Sequence, residues 1–142
     1  MATYSIRKAV EGDQAKIRQM VRQENLDPTT LDWRHFLVAE IDGQIVGIGQ
    51  IKEYPGCQEL GSLVTLPEYR GRGIASGLIN ALEARAGRPL YLLCQDKMEA
   101  YYRRFGYHTI GGREIPSAIQ IKWIAALPFR LFGIRVLVMR KT

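Results

Sequence analysis

At Gly73 the hydrophobic period of this chain changes, and that switch limits its fold more than any other feature. Before it, "FLVAEI" and "QIVGIGQIKEY" are extended runs that meet across Asp42-Gly43, a dipeptide that tolerates positive φ at both central positions of a tight hairpin. After it, Ile74, Leu78, Ile79, Leu82 and Ala86 recur at helical spacing until Gly87 and Pro89 stop the helix. "LYLLC" follows, a short unbroken apolar run of the kind found in buried central strands. Antiparallel hairpins leading into strand–helix–strand–helix–strand indicate a mixed α/β (α+β) architecture.

The flanks agree with this order. "TYSIRKAV" alternates as a first strand, and Asp13 is placed to cap a helix carrying Ile17, Met20 and Val21 on one face. Residues 25–33 are expected to form a proline-containing linker or a short second helix. Pro55-Gly56 marks a turn before the strand "CQELGSLVTL". Asp96 and Glu99 have capping-box spacing ahead of a helix with Met98, Tyr102 and Phe105, which Gly106 closes. "YHTI" and "RVLVMRK" read as the last strands. No repeat or linker divides the 142 residues, so one domain over 1–142 is expected.

Composition removes several classes. Hydrophobic residues at 46% and charged residues at 24% are ordinary globular values. No apolar run reaches the ~18 residues of a membrane span, and "MATYSIRKAVEGD" lacks a signal-peptide core. Two cysteines, Cys57 and Cys94, make neither a disulfide framework nor a zinc set, so a reducing cytoplasm is expected. His35 and His108 have no cysteine or carboxylate cluster beside them, and no metal is expected. The net charge of +6 favours anionic partners. Nucleic acid is not expected, because much of the basic run has a use at one loop.

That loop is "LPEYRGRGIASGLINALEARAG", Leu66 to Gly87. A helix start presents unpaired N–H groups and the positive end of the macrodipole; glycines let an oxygen-rich ligand approach the backbone closely. Arg70 and Arg72 add guanidinium donors. No lysine follows the glycines as a P-loop requires, and Gly71, Gly73 and Gly77 give G-x-G-x-x-x-G rather than the dinucleotide fingerprint. Arg70-x-x-Gly73-x-Ala75 instead resembles the Q/R-x-x-G-x-G/A acyl-CoA pyrophosphate loop of the GNAT superfamily of N-acetyltransferases. "ELGSLVTLPEYRGRGIASGLI" is similar to that family's strand–loop–helix unit, "EAYYRRFGY" to its later helix signature, and "FLVAEIDGQIVGIGQI" to its second and third strands. The resemblance runs from Tyr4 to about Ile110.

The resemblance implies a central mixed sheet of six or seven strands flanked by helices, with the fourth and fifth strands splayed. It implies acetyl-CoA as co-substrate, pantetheine along the main chain of Leu63, Val64 and Thr65, and pyrophosphate on Gly71, Arg72, Gly73, Ile74 and Ala75. Arg70 would brace the loop or touch phosphate. An unprotonated primary amine, of a small molecule or a protein, would attack the thioester directly in a ternary complex. Tyr102 occupies the family's general-acid slot, four residues before Gly106, and Tyr101 points about 100° away. Glu59 is the candidate base, Glu53 and Tyr54 are alternates, and an N–H of Leu63 or Val64 would face the oxyanion. Lys97 stands where the family commonly has a pantetheine-binding asparagine; it would reach CoA phosphates or be solvated. The alternative is a non-catalytic acyl-CoA sensor or interaction module of the same fold.

After "YHTI" the family's tight hairpin is expected to be interrupted by an apolar insert over 115–133. Ile121, Ile124, Ala125 and Leu127 could share one face of an extra helix there, with Lys122, Arg130 and Arg135 nearby. Such a segment would pack on the sheet, wall the acceptor pocket, meet a second copy in a homodimer, or lie on a membrane surface.

Overall fold

The computed structural model describes residues 3–142. In chain order its elements are β1 (Ser5–Lys8), α1 (Gln14–Gln23), β2 (Phe36–Ile41), β3 (Gln44–Tyr54), β4 (Cys57–Thr65), α2 (Ile74–Glu83), β5 (Leu90–Gln95), α3 (Glu99–Arg103), β6 (His108–Thr109), α4 (Ser117–Ala125) and β7 (Val136–Lys141). The strands form one seven-stranded mixed sheet in the order β1-β2-β3-β4-β5-β7-β6. The chain packs as two compact units: residues up to Lys52 together with Leu60–Ala86, and Glu53–Glu59 together with Gly87–Thr142.

In the first unit β1 and β3 flank β2 in antiparallel register, Ile6 opposite Ala39 and Val38 opposite Ile48. Asp42 and Gly43 both take positive φ, 51° and 78°, as the tight hairpin requires. The sheet's two faces are covered differently. On one, Ile17, Met20 and Val21 of α1 pack with Phe36, Val38, Ile48 and Val64. On the other, the alternate residues Gly47 and Gly49 lie beneath Ile74, Leu78 and Leu82 of α2. Glycine there lets the apolar stripe of α2 approach the strand backbone closely.

The second unit begins where β4 and β5 pair in parallel, Gln58 with Leu90 and Glu59 with Tyr91. That ladder is short, whereas β4 continues to Thr65 and β5 to Gln95. β7 pairs antiparallel with β5 along its length, from Leu90–Lys141 to Gln95–Val136, and carries β6 on its other edge. Tyr91, Ile110, Ile115, Ile119 and Val138 form this unit's core, with Tyr54, Leu93 and Trp123 against it.

Of the two readings for residues 25–33 the linker holds and the short second helix does not: Asn25 and Thr30 take φ of 54°, and only a 3₁₀ turn, Trp33–His35, appears. The segment is tied to α1 through Gln14, which accepts from the Trp33 N–H at 2.8 Å and donates to the Leu31 carbonyl. Asp13 precedes α1 but makes no cap bond to it; its carboxylate instead accepts from the Val10 N–H at 2.8 Å and from Arg7. The Asp96–Glu99 capping box does not form, because Glu99 accepts from Arg103 and Thr109. In α4 the buried residue is Ile119, while Ile121 and Ile124 face outward. The helix gives way at Ala126 to a 3₁₀ turn, Leu127–Phe132, since Pro128 lacks the N–H that a continuing helix needs.

Candidate active site

In the first unit, the end of β4 leads through a 3₁₀ turn, Pro67–Tyr69, into Arg70–Gly73 and the first turn of α2. Gly71 and Gly73 take φ of 78° and 79°, and a Cβ at either would meet nothing within 4 Å. These glycines are therefore required by backbone conformation, and the space above them is open. Gly73 caps α2, leaving the first N–H groups of the helix, including those of Ile74 and Ala75, without helical partners. The Gly73 carbonyl is occupied from behind, accepting from the Tyr4 hydroxyl at 3.0 Å and from the Gly77 N–H at 2.9 Å.

The two arginines differ. Arg70 pairs with Glu24 just past α1 at 2.8 Å and donates to the Thr65 carbonyl at 3.4 Å, so it braces the loop. Arg72 lies 5.1 Å over the Tyr69 ring and is exposed. On β4, Val64 is buried in the α1-side core while Leu63 and Thr65 are half-buried. The Thr65 Oγ1 is buried and has no hydrogen-bond partner among the described residues.

In the second unit Glu59 is 4% exposed. Its Oε1 accepts from the Tyr54 hydroxyl at 2.9 Å and from Lys122 Nζ of α4 at 3.1 Å. Lys122 also donates to the Tyr54 hydroxyl at 3.0 Å. Burial pushes the Tyr54 phenol up to about 12, against the pull of the Lys122 ammonium. Burial also raises the Cys57 thiol, with the Glu59 charge adding to it. Glu53, the other carboxylate considered, is exposed and accepts from Gln58 at 2.6 Å.

Tyr102 stands on α3 with its ring edge-on to Tyr101 at 5.2 Å and to Tyr107 at 6.2 Å. Its hydroxyl makes no hydrogen bond among the described residues. Burial, with a smaller contribution from Cys94, holds the phenol well above the usual tyrosine range, so it stays protonated at neutral pH. Cys94 is itself raised to about 12 by burial and lies 3.7 Å from the Met139 sulfur, which makes it an inert core thiol. Lys97 is exposed in the 3₁₀ turn Asp96–Met98. Among the described residues no group of three or more His, Cys, Asp or Glu could hold a metal ion.

Residues 32–109 match the family model described as the acetyltransferase (GNAT) domain. The chain belongs to the GNAT acetyltransferase family. It is 36% identical over 99 residues to an acetyltransferase, ECA0875, of Pectobacterium atrosepticum, a match covering 63% of this chain and 64% of that protein. The fold is similar to that of Rv2747 from Mycobacterium tuberculosis, solved in complex with CoA, with a TM-score of 0.79 at 16% identity over 97% of this chain and 98% of that one. It is also similar to N-acetylglutamate synthase from Neisseria gonorrhoeae, solved with coenzyme A and N-acetyl-glutamate, with a TM-score of 0.77 at 20% identity over 99% of this chain. The chain spans 35% of the length of that synthase.

The loop glycines and the β4 strand are legible in the sequence as motifs. The contact between Lys122 and Glu59 is not. The available signal was a lone charged residue inside a largely apolar helix, a residue type that is almost never fully buried unless paired. Tyr4 was equally invisible as a support of the loop, because nothing in a first strand announces a bond to a residue 69 positions away.

Proposed function

We propose that the chain transfers the acetyl group of acetyl-CoA to a primary amine by direct attack in a ternary complex. Residues 1–142 would act as one N-acyltransferase domain in the cytoplasm. The observation that carries this reading is the α2 start, where two left-handed glycines open onto the helix N-terminus with a basic residue on either side of Gly71. Oriented N–H groups of this kind suit a pyrophosphate. The N–H groups of Gly71, Arg72, Gly73, Ile74 and Ala75 would hold it, with Arg70 bracing the loop and Lys97 free to reach a CoA phosphate. Main-chain groups of Leu63, Val64 and Thr65 would pair with pantetheine, and an N–H of Leu63 or Val64 would stabilise the oxyanion.

Attack by the neutral amine gives a tetrahedral adduct, which collapses by breaking the C–S bond. The departing thiolate is a weak base, with a reference pKa of about 8.5. A phenol held far above that value gives up its proton only uphill, so Tyr102 acts chiefly as a hydrogen-bond donor to sulfur. Proton removal from the amine falls to Glu59 through Oε2, the oxygen not held by Tyr54 and Lys122.

The commitment of Oε1 to two donors also favours a second reading, a non-catalytic acyl-CoA sensor of the same fold. Both readings predict that acetyl-CoA raises the melting temperature and that Gly73→Leu abolishes the shift by distorting the loop. No shift with any acyl-CoA would end both. Release of free CoA thiol across a panel of amines separates them: turnover with at least one amine supports the transferase, and binding without turnover supports the sensor.

A further inference from the structure

From Ile115 to Thr142 the sequence holds five basic residues and no aspartate or glutamate. The same stretch carries most of the large apolar side chains left in water: Leu131 is 86% exposed, Phe132 79% and Ile121 72%, with Ile124 and Phe129 about half exposed. α4 is apolar on both sides, Ile119 fully buried and Ile121 and Ile124 open. A contiguous apolar surface left open to water in this way marks a site of interaction. Arg130 and Arg135 are exposed beside these residues, and neither forms an ion pair among the described residues. Lys122 and Arg140, by contrast, are engaged with Glu59 and Glu114.

We propose that the segment 121–135 docks on an anionic lipid surface. Leu131 and Phe132 enter the headgroup–acyl boundary, and Arg130 and Arg135 meet lipid phosphates. The alternative occupant, a second copy of the chain, fits less well. A two-fold contact sets the same patch against itself, so its arginines would face a segment that offers no carboxylate. No helix among the described residues is long and apolar enough to cross a membrane, so the segment would lie on the surface rather than span it.

Co-sedimentation with phosphatidylcholine vesicles, with and without phosphatidylglycerol, tests this on the full chain. Binding is expected only with phosphatidylglycerol present, and weakening as salt rises. Arg130→Gln and Arg135→Gln should each weaken it about fivefold. Leu131→Asp and Phe132→Asp should each weaken it by about tenfold or more. Because all four side chains are exposed, the variants should keep the wild-type melting temperature, which confirms that they fold. Failure of the wild type to bind anionic vesicles overturns the proposal, as does equal binding by the aspartate variants. A dimer by light scattering that Phe132→Asp dissociates, without vesicle binding, assigns the patch to a second copy and also overturns it.

Discussion

At the scale of single residues, the Tyr54–Glu59–Lys122 cluster places a buried carboxylate between two donors. A carboxylate almost fully removed from water is tolerable only when paired and hydrogen-bonded, and both conditions are met on Oε1. The Lys122 side chain keeps 24% of its exposure against 6% for Glu59, so the pair is open to solvent at its cationic end. Lys122→Met should therefore cost about 1–3 kcal/mol, below the ~3–5 kcal/mol of a fully buried pair. Glu59→Gln should cost a similar amount alone, and the double variant less than the sum of the two. Urea denaturation of the four proteins measures this; strict additivity would mean that the contact does not exist in solution. At this scale the sequence was legible where the backbone sets the role. Gly71 and Gly73 were readable because only glycine adopts their φ cheaply. Arg70 was readable as a loop residue but not as a partner of Glu24, 46 positions earlier, since a long-range ion pair leaves no local pattern.

At the scale of elements, the packing of α2 on β3 depends on absent side chains. An added Cβ at Gly47 would lie 2.9 Å from Ile74 Cγ2, 3.0 Å from Leu78 Cδ1 and 3.4 Å from the Val64 carbonyl oxygen. Both methyl contacts belong to residues that are fully buried, so relief requires the helix to shift on the sheet. Gly47→Ala should cost about 1–3 kcal/mol by overpacking and lower the melting temperature. Unchanged stability would show that α2 does not sit this close to β3. The elements that sequence reading recovered are those whose local signals agree with their packing. The Asp42-Gly43 hairpin, the five-residue run in β5 and the period of α2 are examples. Where the pattern left a choice open, tertiary contacts made it. Residues 25–33 are held as a linker by Gln14 rather than by their own periodicity, and α4 buries Ile119 although its pattern offers Ile121 and Ile124 equally well.

At the scale of the whole molecule, 20 basic against 14 acidic side chains leave a net +6, and the acidic residues of the first unit are largely drawn into pairs. Asp13 is the most enclosed of these, accepting from Arg7 at 2.8 Å and from the Val10 N–H at 2.8 Å. The Arg7 hydrogen bond, opposed by burial and aided by the Val10 N–H, holds its carboxyl below the usual aspartate range. A depressed carboxylate stabilises the fold above its unfolded pKa of about 3.9, and that contribution disappears as pH falls through the lower, folded value. Acid also raises the net charge, because 14 carboxylates protonate while 20 cations remain, and the resulting self-repulsion acts on every variant alike. Comparing wild type with Asp13→Asn cancels that shared effect. The variant should be less stable by about 1–3 kcal/mol at neutral pH, where it lacks a charged acceptor for Arg7 and Val10. The gap should narrow steadily as pH falls below about 4. Denaturant titrations between neutral pH and pH ~3 read it directly, and a gap that stays constant through that range would show that Asp13 is not ionised by its pairing with Arg7.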